Sequence, residues 1–273
     1  MPADPPDRSG LTVIIPTYNV EAYLDRQLTL LRDLADEVLV CDSYSTDKTL
    51  EIAARHGVRV IQHEYVTSAI QKNWAIPQAS FEWVLILDSD EIPEPQLTDE
   101  IRSFLQGPPP TDVDLVWIPR KNLFWGKWMR RSSDYPDRQS RLFRRDKGRY
   151  DGREVHSHVV VPGRSVQFEH ALIHDDFTDI SSWWLKTNRY LRYELQETQK
   201  RGRGWSFRRQ FVYPWAIFGR DYFLRGAFIH GVPGFFRVFL KVLTYVMVQF
   251  KIFESELQLR APERVREKSS NPR

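Results

Sequence analysis

A single cysteine, Cys41, occurs in 273 residues, so no disulfide can form within the chain and a reducing compartment is expected. It lies in the strand-like Val38-Leu39-Val40-Cys41, where a small core residue is preferred over a nucleophile. Long uninterrupted apolar runs are also missing. The most apolar stretch, Val232 to Phe253, is broken by Arg237, Lys241, Gln249 and Lys251, whereas a spanning helix needs about 20 nearly uninterrupted apolar residues. Met1 to Gly10 is polar and Pro-rich with no apolar centre. It reads as a disordered N-terminus and not as a signal peptide, and residence in the cytoplasm is the expectation. There is no internal repeat.

What is present suffices for a core, since 41% of the residues are hydrophobic. Charge is uneven. From Lys200 onward there are 15 Lys/Arg and 5 Asp/Glu, a net of +10, which leaves 24 against 31, or −7, for residues 1–199. An acidic part joined to a basic, aromatic-rich one points to an anionic partner, either nucleic acid or phospholipid. The positive charge coincides with apolar stretches, which suits lipid, and no nucleic-acid partner is expected.

Periodicity gives the organisation. Leu11 to Ile15, Val38 to Cys41, Val58 to Ile61 and Trp83 to Leu87 read as buried strands, with helices over about Glu21 to Leu34, over Lys48 to His56 and around Gln71-Lys72-Asn73. This alternation predicts a mostly parallel sheet flanked by helices, with the loops starting at Pro16, Asp42 and Asp88 converging at one edge. After Gly107-Pro108-Pro109-Pro110 the pattern becomes β-rich. Val113 to Ile118, Arg141 to Arg145, Val155 to Val161 and Val166 to His174 read as strands, with Pro162-Gly163 a turn. A long helix is predicted from Ile180 to about Lys200. In Val232 to Phe253, Leu240, Leu243, Met247 and Phe250 can share one face of an in-plane interfacial helix, with Arg237, Lys241 and Lys251 reaching phosphate headgroups. The alternative is a core helix pair. Residues 260–273 read as a disordered basic tail.

The most informative segment is Asp88-Ser89-Asp90-Glu91, directly after the apolar Trp83 to Leu87. Parallel sheets bind ligands beyond their strand carboxyl ends, and carboxylates there suit Mg²⁺ or Mn²⁺ in contact with a nucleoside diphosphate. Alone the motif also fits an acidic turn.

LTVIIPTYN, DSYSTDKT, QKN and VLILDSDE, in this order and spacing, resemble the GT-A glycosyltransferases of family 2, and most closely the bacterial branch that extends lipopolysaccharide core and related surface glycans. The likeness covers residues 11 to about 195 and continues in YPDRQSRLFRR, REVHSHVVVPG and ALIHDDF. It implies a GT-A fold with a helical C-terminal extension. The domain reading is 11–200 for the transferase, with 11–106 the nucleotide-sugar half and 111–200 the acceptor half, followed by 201–259 as an amphipathic membrane-associating region. The implied activity is metal-dependent, inverting transfer from a nucleotide-sugar donor to a lipid-linked or lipopolysaccharide acceptor at the inner face of the membrane.

The resemblance also implies roles. Asp90, with Asp88, holds a divalent metal and the donor ribose, and His174 completes the metal shell, with His156 a second candidate. Pro16, Thr17 and Tyr18 line the base pocket, Asp42 binds base or ribose, and Glu21, Asp47, Ser89 and Lys72 lie on the donor side, Lys72 facing the diphosphate. Asp47 and Glu21 also fit as helix-terminus residues. Arg138 and Arg141 are candidates to clamp acceptor phosphate, or to balance nearby acids. The general base departs from the family, whose Val-His-Glu is Val155-His156-Ser157 here. Asp137 is the first substitute, then Glu154 or Asp151. Two other readings stay open. Ser157 keeps alive a non-catalytic nucleotide-sugar-binding scaffold at a membrane, and the sheet also fits a nucleotidyltransferase, although PTYN is not that class's Gly-rich loop.

Overall fold

The four apolar segments form one end of a mixed sheet. The computed structural model describes residues 10–106, 112–131, 135–153, 157–175, 177, 179–202 and 204–260. Its chain divides into two units, one made of residues up to Leu123 with Tyr135–Asp176, the other of Phe124–Asp134 with Phe177 onward.

The first unit runs β1 (Leu11–Thr17), α1 (Glu21–Leu31), β2 (Glu37–Asp42), α2 (Thr49–Arg55), β3 (Arg59–Gln62), α3 (Ser68–Ala75), β4 (Trp83–Ile86), β5 (Glu91–Pro93), α4 (Pro95–Gln106) and β6 (Val113–Phe124). After β7 (Lys127–Trp128), which belongs to the second unit, come β8 (Asp137–Arg144), β9 (Arg149–Tyr150), β10 (Val159–Val160), β11 (Arg164–Gln167) and β12 (Leu172–His174). The strand order is β3-β2-β1-β4-β8-β6-β12-β5, with β11 also on β6. β1 to β4 are mutually parallel, while β8 is antiparallel to both β4 and β6. The order reverses between β1 and β4. Such a switch point opens a crevice outside the strand carboxyl ends, here bordered by Thr17 and Asp88.

Continuous apolar strands arise because both faces are covered. Val13, Ile15, Val40 and Leu85 pack with Leu24, Leu28 and Leu31 of α1 and Leu97 and Ile101 of α4. Ile14, Leu39, Cys41, Val84 and Ile86 pack on the other side with Ala69 and Ala75 of α3. Cys41 is fully buried, and burial pushes its thiol up to about 11. It is a core residue.

The β-rich half differs in detail from the sequence expectation. β6 extends to Phe124, and β8 begins at Asp137, four residues before the expected Arg141. Val166 to His174 is two strands, because Phe168 turns into the core and the amides of Glu169 and His170 donate to the Glu100 carboxylate instead of to a ladder. Of the expected Val155 to Val161, the described part pairs only at Val159–Val160.

The second unit is helical. α5 (Ile180–Lys200) precedes π-helical turns at Arg208–Val212 and Arg220–Leu224 that flank α6 (Tyr213–Gly219), then a 3₁₀ turn (Ala227–His230) and α7 (Val232–Arg260). Gly234 lets α7 start against that turn, since a Cβ there would overlap the Ala227 carbonyl oxygen. The expected interfacial face of α7 is corrected here. Leu240 is buried and Leu243 packs beside it with Phe124, Met129 and Phe177, while Met247 packs with Leu191, Val248 and Ile252. Only Phe250 of the four expected residues is exposed. The stripe is core because α5 supplies an apolar partner, the helix pair that periodicity alone could not tell from an interfacial helix. No helix among the described residues is long and apolar enough to cross a membrane.

Candidate active site

At the nucleotide end, the loops after β1 and β2 are tied together. Asp42 is fully buried, and its carboxylate accepts from Thr17 Oγ1 at 3.0 Å, Ser45 N at 2.9 Å, Ser45 Oγ at 2.5 Å and Gln62 Nε2 at 3.1 Å. Tyr18 and Tyr44 stand exposed on the same two loops, 62% and 57%, and Tyr44 has the left-handed φ of 58°. Asp47 and Glu21 cross-link two helix starts. Asp47 accepts from Glu21 N at 3.0 Å and Thr49 N at 2.9 Å, and Glu21 accepts from Lys48 N at 3.0 Å. These contacts satisfy amides that a helix start leaves without intrahelical partners.

Beyond β4, charged side chains from five elements form one chain of contacts. Lys72 Nζ of α3 donates to Asp88 Oδ1 at 2.8 Å. Arg141 Nη2 of β8 donates to Asp88 Oδ2 at 2.5 Å and to Glu91 Oε1 at 2.6 Å. Arg120 of β6 then bridges Glu91 Oε1, at 2.8 Å, and Asp137 Oδ2, also at 2.8 Å. Asp137 further accepts from Asn122 Nδ2 at 3.0 Å and Gln139 Nε2 at 2.6 Å. Three carboxylates meet three cations, so the cluster is internally neutral. Gln27 of α1 closes the turn by donating to the carbonyls of Asp88 at 2.8 Å and Glu91 at 2.7 Å.

Strand register explains how distant residues meet. Arg120 lies directly opposite Asp137, Asn122 beside His174, and His174 beside Glu91. Side chains alternate along a strand, so Asp137 and Gln139 share one face of β8, while Arg141 sits where the register against β6 shifts and reaches Asp88 and Glu91 from there. Arg138, between them, is exposed on the other face and takes no part in this cluster.

Burial strengthens the cluster. It acts to raise the carboxyl of Asp88, but Arg141 and Lys72 more than offset this and hold it well below the usual range. Burial opposes charge on Arg141 and Lys72 likewise, and Asp88, with Glu91 for Arg141, raises both above their ordinary values. Asp137 is also lowered, because Arg120, Asn122 and Gln139 outweigh its desolvation. All four groups stay charged at neutral pH.

The network ends at His174 and Asp90. Asp137 is ionised and only accepts, so the Asn122 amide nitrogen faces it and the Asn122 carbonyl oxygen faces His174 Nδ1, at 2.7 Å. An oxygen acceptor there makes Nδ1 a donor. The other nitrogen, Nε2, lies 3.4 Å from Asp90 Oδ2. Imidazole oriented by an outer amide beside a carboxylate is a donor set that fits Mn²⁺ or Mg²⁺. No group of three His, Cys, Asp or Glu suited to a metal occurs among the described residues.

The structure thus brings together Lys72, Asp88, Arg141, Asp137, Asp90 and His174, and separately Thr17 and Asp42. Ser89 lies in the turn between Asp88 and Asp90. Asp151 bonds Arg153 at the surface, with its other described contacts local. Glu154 and His156 lie outside the described residues. Sequence reasoning missed Gln27, Arg120 and Asn122, and gave Glu91 no role of its own within the carboxylate segment. For two of them a signal existed, since Arg120 and Asn122 repeat at the strand period, as do Asp137, Gln139 and Arg141.

The family model "Glycosyl transferase family 2" matches residues 12–171. Among curated proteins the chain is similar to the lipopolysaccharide core biosynthesis glycosyltransferase LpsC of Rhizobium meliloti (strain 1021), 26% identical over 252 residues that cover 89% of this chain and 92% of LpsC. It is also similar to an uncharacterized glycosyltransferase of Rickettsia bellii (strain RML369-C), 36% identical over 91 residues that cover 33% of this chain and 31% of that one. Among solved structures, TarS of S. aureus matches with a TM-score of 0.43 and 17% identity over 68% of this chain and 40% of TarS. The matched segments therefore span less than half the length of the Rickettsia relative and of TarS. Because the family model runs from β1 through β11 and covers more than half of the sequence, the chain belongs to glycosyl transferase family 2, with the α/β GT-A fold expected of it.

Proposed function

We propose that the chain is a metal-dependent, inverting glycosyltransferase that moves a sugar from a nucleoside diphosphate to a lipid-linked or lipopolysaccharide-type acceptor. The observation that carries this reading is the facing pair Asp90 and His174, joined through Asn122 to a neutral, partly buried ion network. Asp90 Oδ2 and His174 Nε2 would hold Mg²⁺ or Mn²⁺, which when bound neutralises the charge that builds on the departing diphosphate. Asp88 is a positioning residue in this account. It holds Lys72 and Arg141 in place before the donor arrives, so Lys72 would face the diphosphate without reorganisation.

Pro16, Thr17, Tyr18 and Asp42 receive the base and ribose, with the exposed ring of Tyr18 available for stacking. Glu21 and Asp47 shape that pocket by fixing two helix starts, and Ser89 carries the turn that presents Asp90. Asp137 is the base among the described residues. It starts in the ionised form that accepting the acceptor hydroxyl's proton requires. Arg138, exposed on β8, would meet acceptor phosphate. The acceptor class rests on the similarity to LpsC and on the basic second unit, which would set the enzyme on the anionic inner face of a membrane.

Release of nucleoside diphosphate from UDP-, GDP-, CDP- and dTDP-sugars, with Mn²⁺ and with EDTA, tests the reaction. Turnover of one donor that needs metal and disappears in Asp90→Ala is expected. Equal turnover in EDTA contradicts the metal assignment. Ser157, standing where the family has Glu, favours one second reading, a scaffold that binds donor without transfer. Binding of a donor with no turnover under any condition would select it.

A further inference from the structure

Residues 201–253 contain nine Lys/Arg and one acid, Asp221. That acid does not reach solvent. Asp221 is fully buried, accepts from Arg220 Nε at 2.7 Å, and lies 3.4 Å from Arg225 Nη1 and 3.1 Å from Lys241 Nζ. Burial acts to raise its carboxyl, and Arg220 and Lys241 more than offset that and lower it. One carboxylate therefore gathers three cations whose side chains remain 47%, 44% and 38% exposed.

Apolar surface adjoins this excess positive charge. Tyr222 contacts the rings of Phe218, Phe223, Phe228 and Phe235 at centroid distances of 5.2, 5.1, 6.4 and 6.0 Å, so the rings form one patch. Its outer members are open to solvent, with Phe223 at 61%, Leu224 at 84% and Phe228 at 51%. Contiguous exposed apolar side chains rimmed by cations mark an interaction surface. The stripe of α7 cannot serve, since α5 covers it.

We infer that Arg220 to Val232, together with Lys241, is a membrane-docking tip in which Phe223, Leu224 and Phe228 enter the acyl boundary of an anionic bilayer while the cations gathered by Asp221 meet lipid phosphates. This rests on the reading that the second unit meets an anionic membrane, and it names the contact. Charge complementarity favours lipid over a symmetric contact between two copies of this tip, because Asp221, the one acid in residues 201–253, is buried. Interfacial binding combines apolar burial with attraction to anionic lipid.

Co-sedimentation of the full chain with phosphatidylglycerol-containing vesicles, against pure phosphatidylcholine vesicles, tests this. Wild type should bind the anionic vesicles more tightly. The variant Phe223→Ser/Leu224→Ser/Phe228→Ser should partition on the order of 100-fold more weakly, while Phe250→Ser, an exposed site on α7, should stay within about twofold. A second readout needs no loss of side chains. Cys41 is buried and its thiol is raised to about 11, so an environment-sensitive dye on Leu224→Cys labels one site, and its emission should shift to the blue on vesicles. Wild type that ignores anionic vesicles overturns both the membrane reading and the tip. Wild-type binding that the triple variant keeps, or a label that does not shift on bound protein, overturns the tip alone. Self-association of wild type without vesicles that the triple variant abolishes would mark the patch as a protein interface and also overturn the tip.

Discussion

In the first unit charged side chains are consumed internally, whereas in the second they are left facing outward. Asp88, Glu91 and Asp137 are matched by Lys72, Arg120 and Arg141, while Asp221 draws three cations that stay partly exposed. A matched buried cluster contributes little net stability over an apolar one, and its value lies in fixing positions. A half-exposed cluster richer in cations than in carboxylates keeps its field. In the proposed reading the same chemistry organises a small-molecule site in one unit and a membrane-facing surface in the other.

The largest test of that contrast removes a cation from the matched cluster. Arg141→Met leaves Asp88 and the fully buried Glu91 short of a partner, and should lower stability by about 3 kcal/mol or more in urea unfolding. Glu91→Gln in the same chain should recover part of the loss, so a double-mutant cycle with no coupling would contradict the matched-cluster account. Next in size is activity. Asp90→Ala should cut transfer by on the order of 100-fold or more while unfolding within about 1 kcal/mol of wild type.

Acid should separate the groups further. Asp88 and Asp137 have depressed folded-state values, so the stability they contribute is present above the unfolded carboxylate value of about 4 and is lost as pH falls through the lower folded values. Wild type should therefore keep this contribution from pH 7 to about 5 and lose it below about 4, whereas Asp137→Asn should show a shallower loss in that window. An unchanged acid slope would remove Asp137 from the stabilising set. The smallest effect belongs to the second unit. Phe223→Ser replaces an exposed ring and should change stability by no more than about 0.5 kcal/mol, in contrast to the cost at Arg141.

Much of this was legible in the sequence. The apolar runs from Leu11 to Leu87 announce a covered parallel sheet, and the loops after them converge, as the bond from Thr17 to Asp42 shows. Long-range partners were not legible. Arg120 and Asp137 are 17 residues apart and meet only because β6 and β8 are antiparallel in one register, which no local pattern specifies. Asn122 shares the strand period of Arg120, but its partner His174 is recognisable only once β12 lies beside β6. The α7 stripe failed differently. Its periodicity was correct, but an amphipathic face is the same signal whether lipid or α5 covers it.

The central claim is that Asn122, His174 and Asp90 form one metal-holding line. Calorimetric titration of a nucleoside diphosphate with and without Mn²⁺, on wild type, Asp90→Ala and Asn122→Leu, tests it most directly. Metal-enhanced binding that is lost in Asp90→Ala and weakened on the order of tenfold in Asn122→Leu is the result expected. Binding that is indifferent to Mn²⁺ in wild type, or unchanged in both variants, would contradict it.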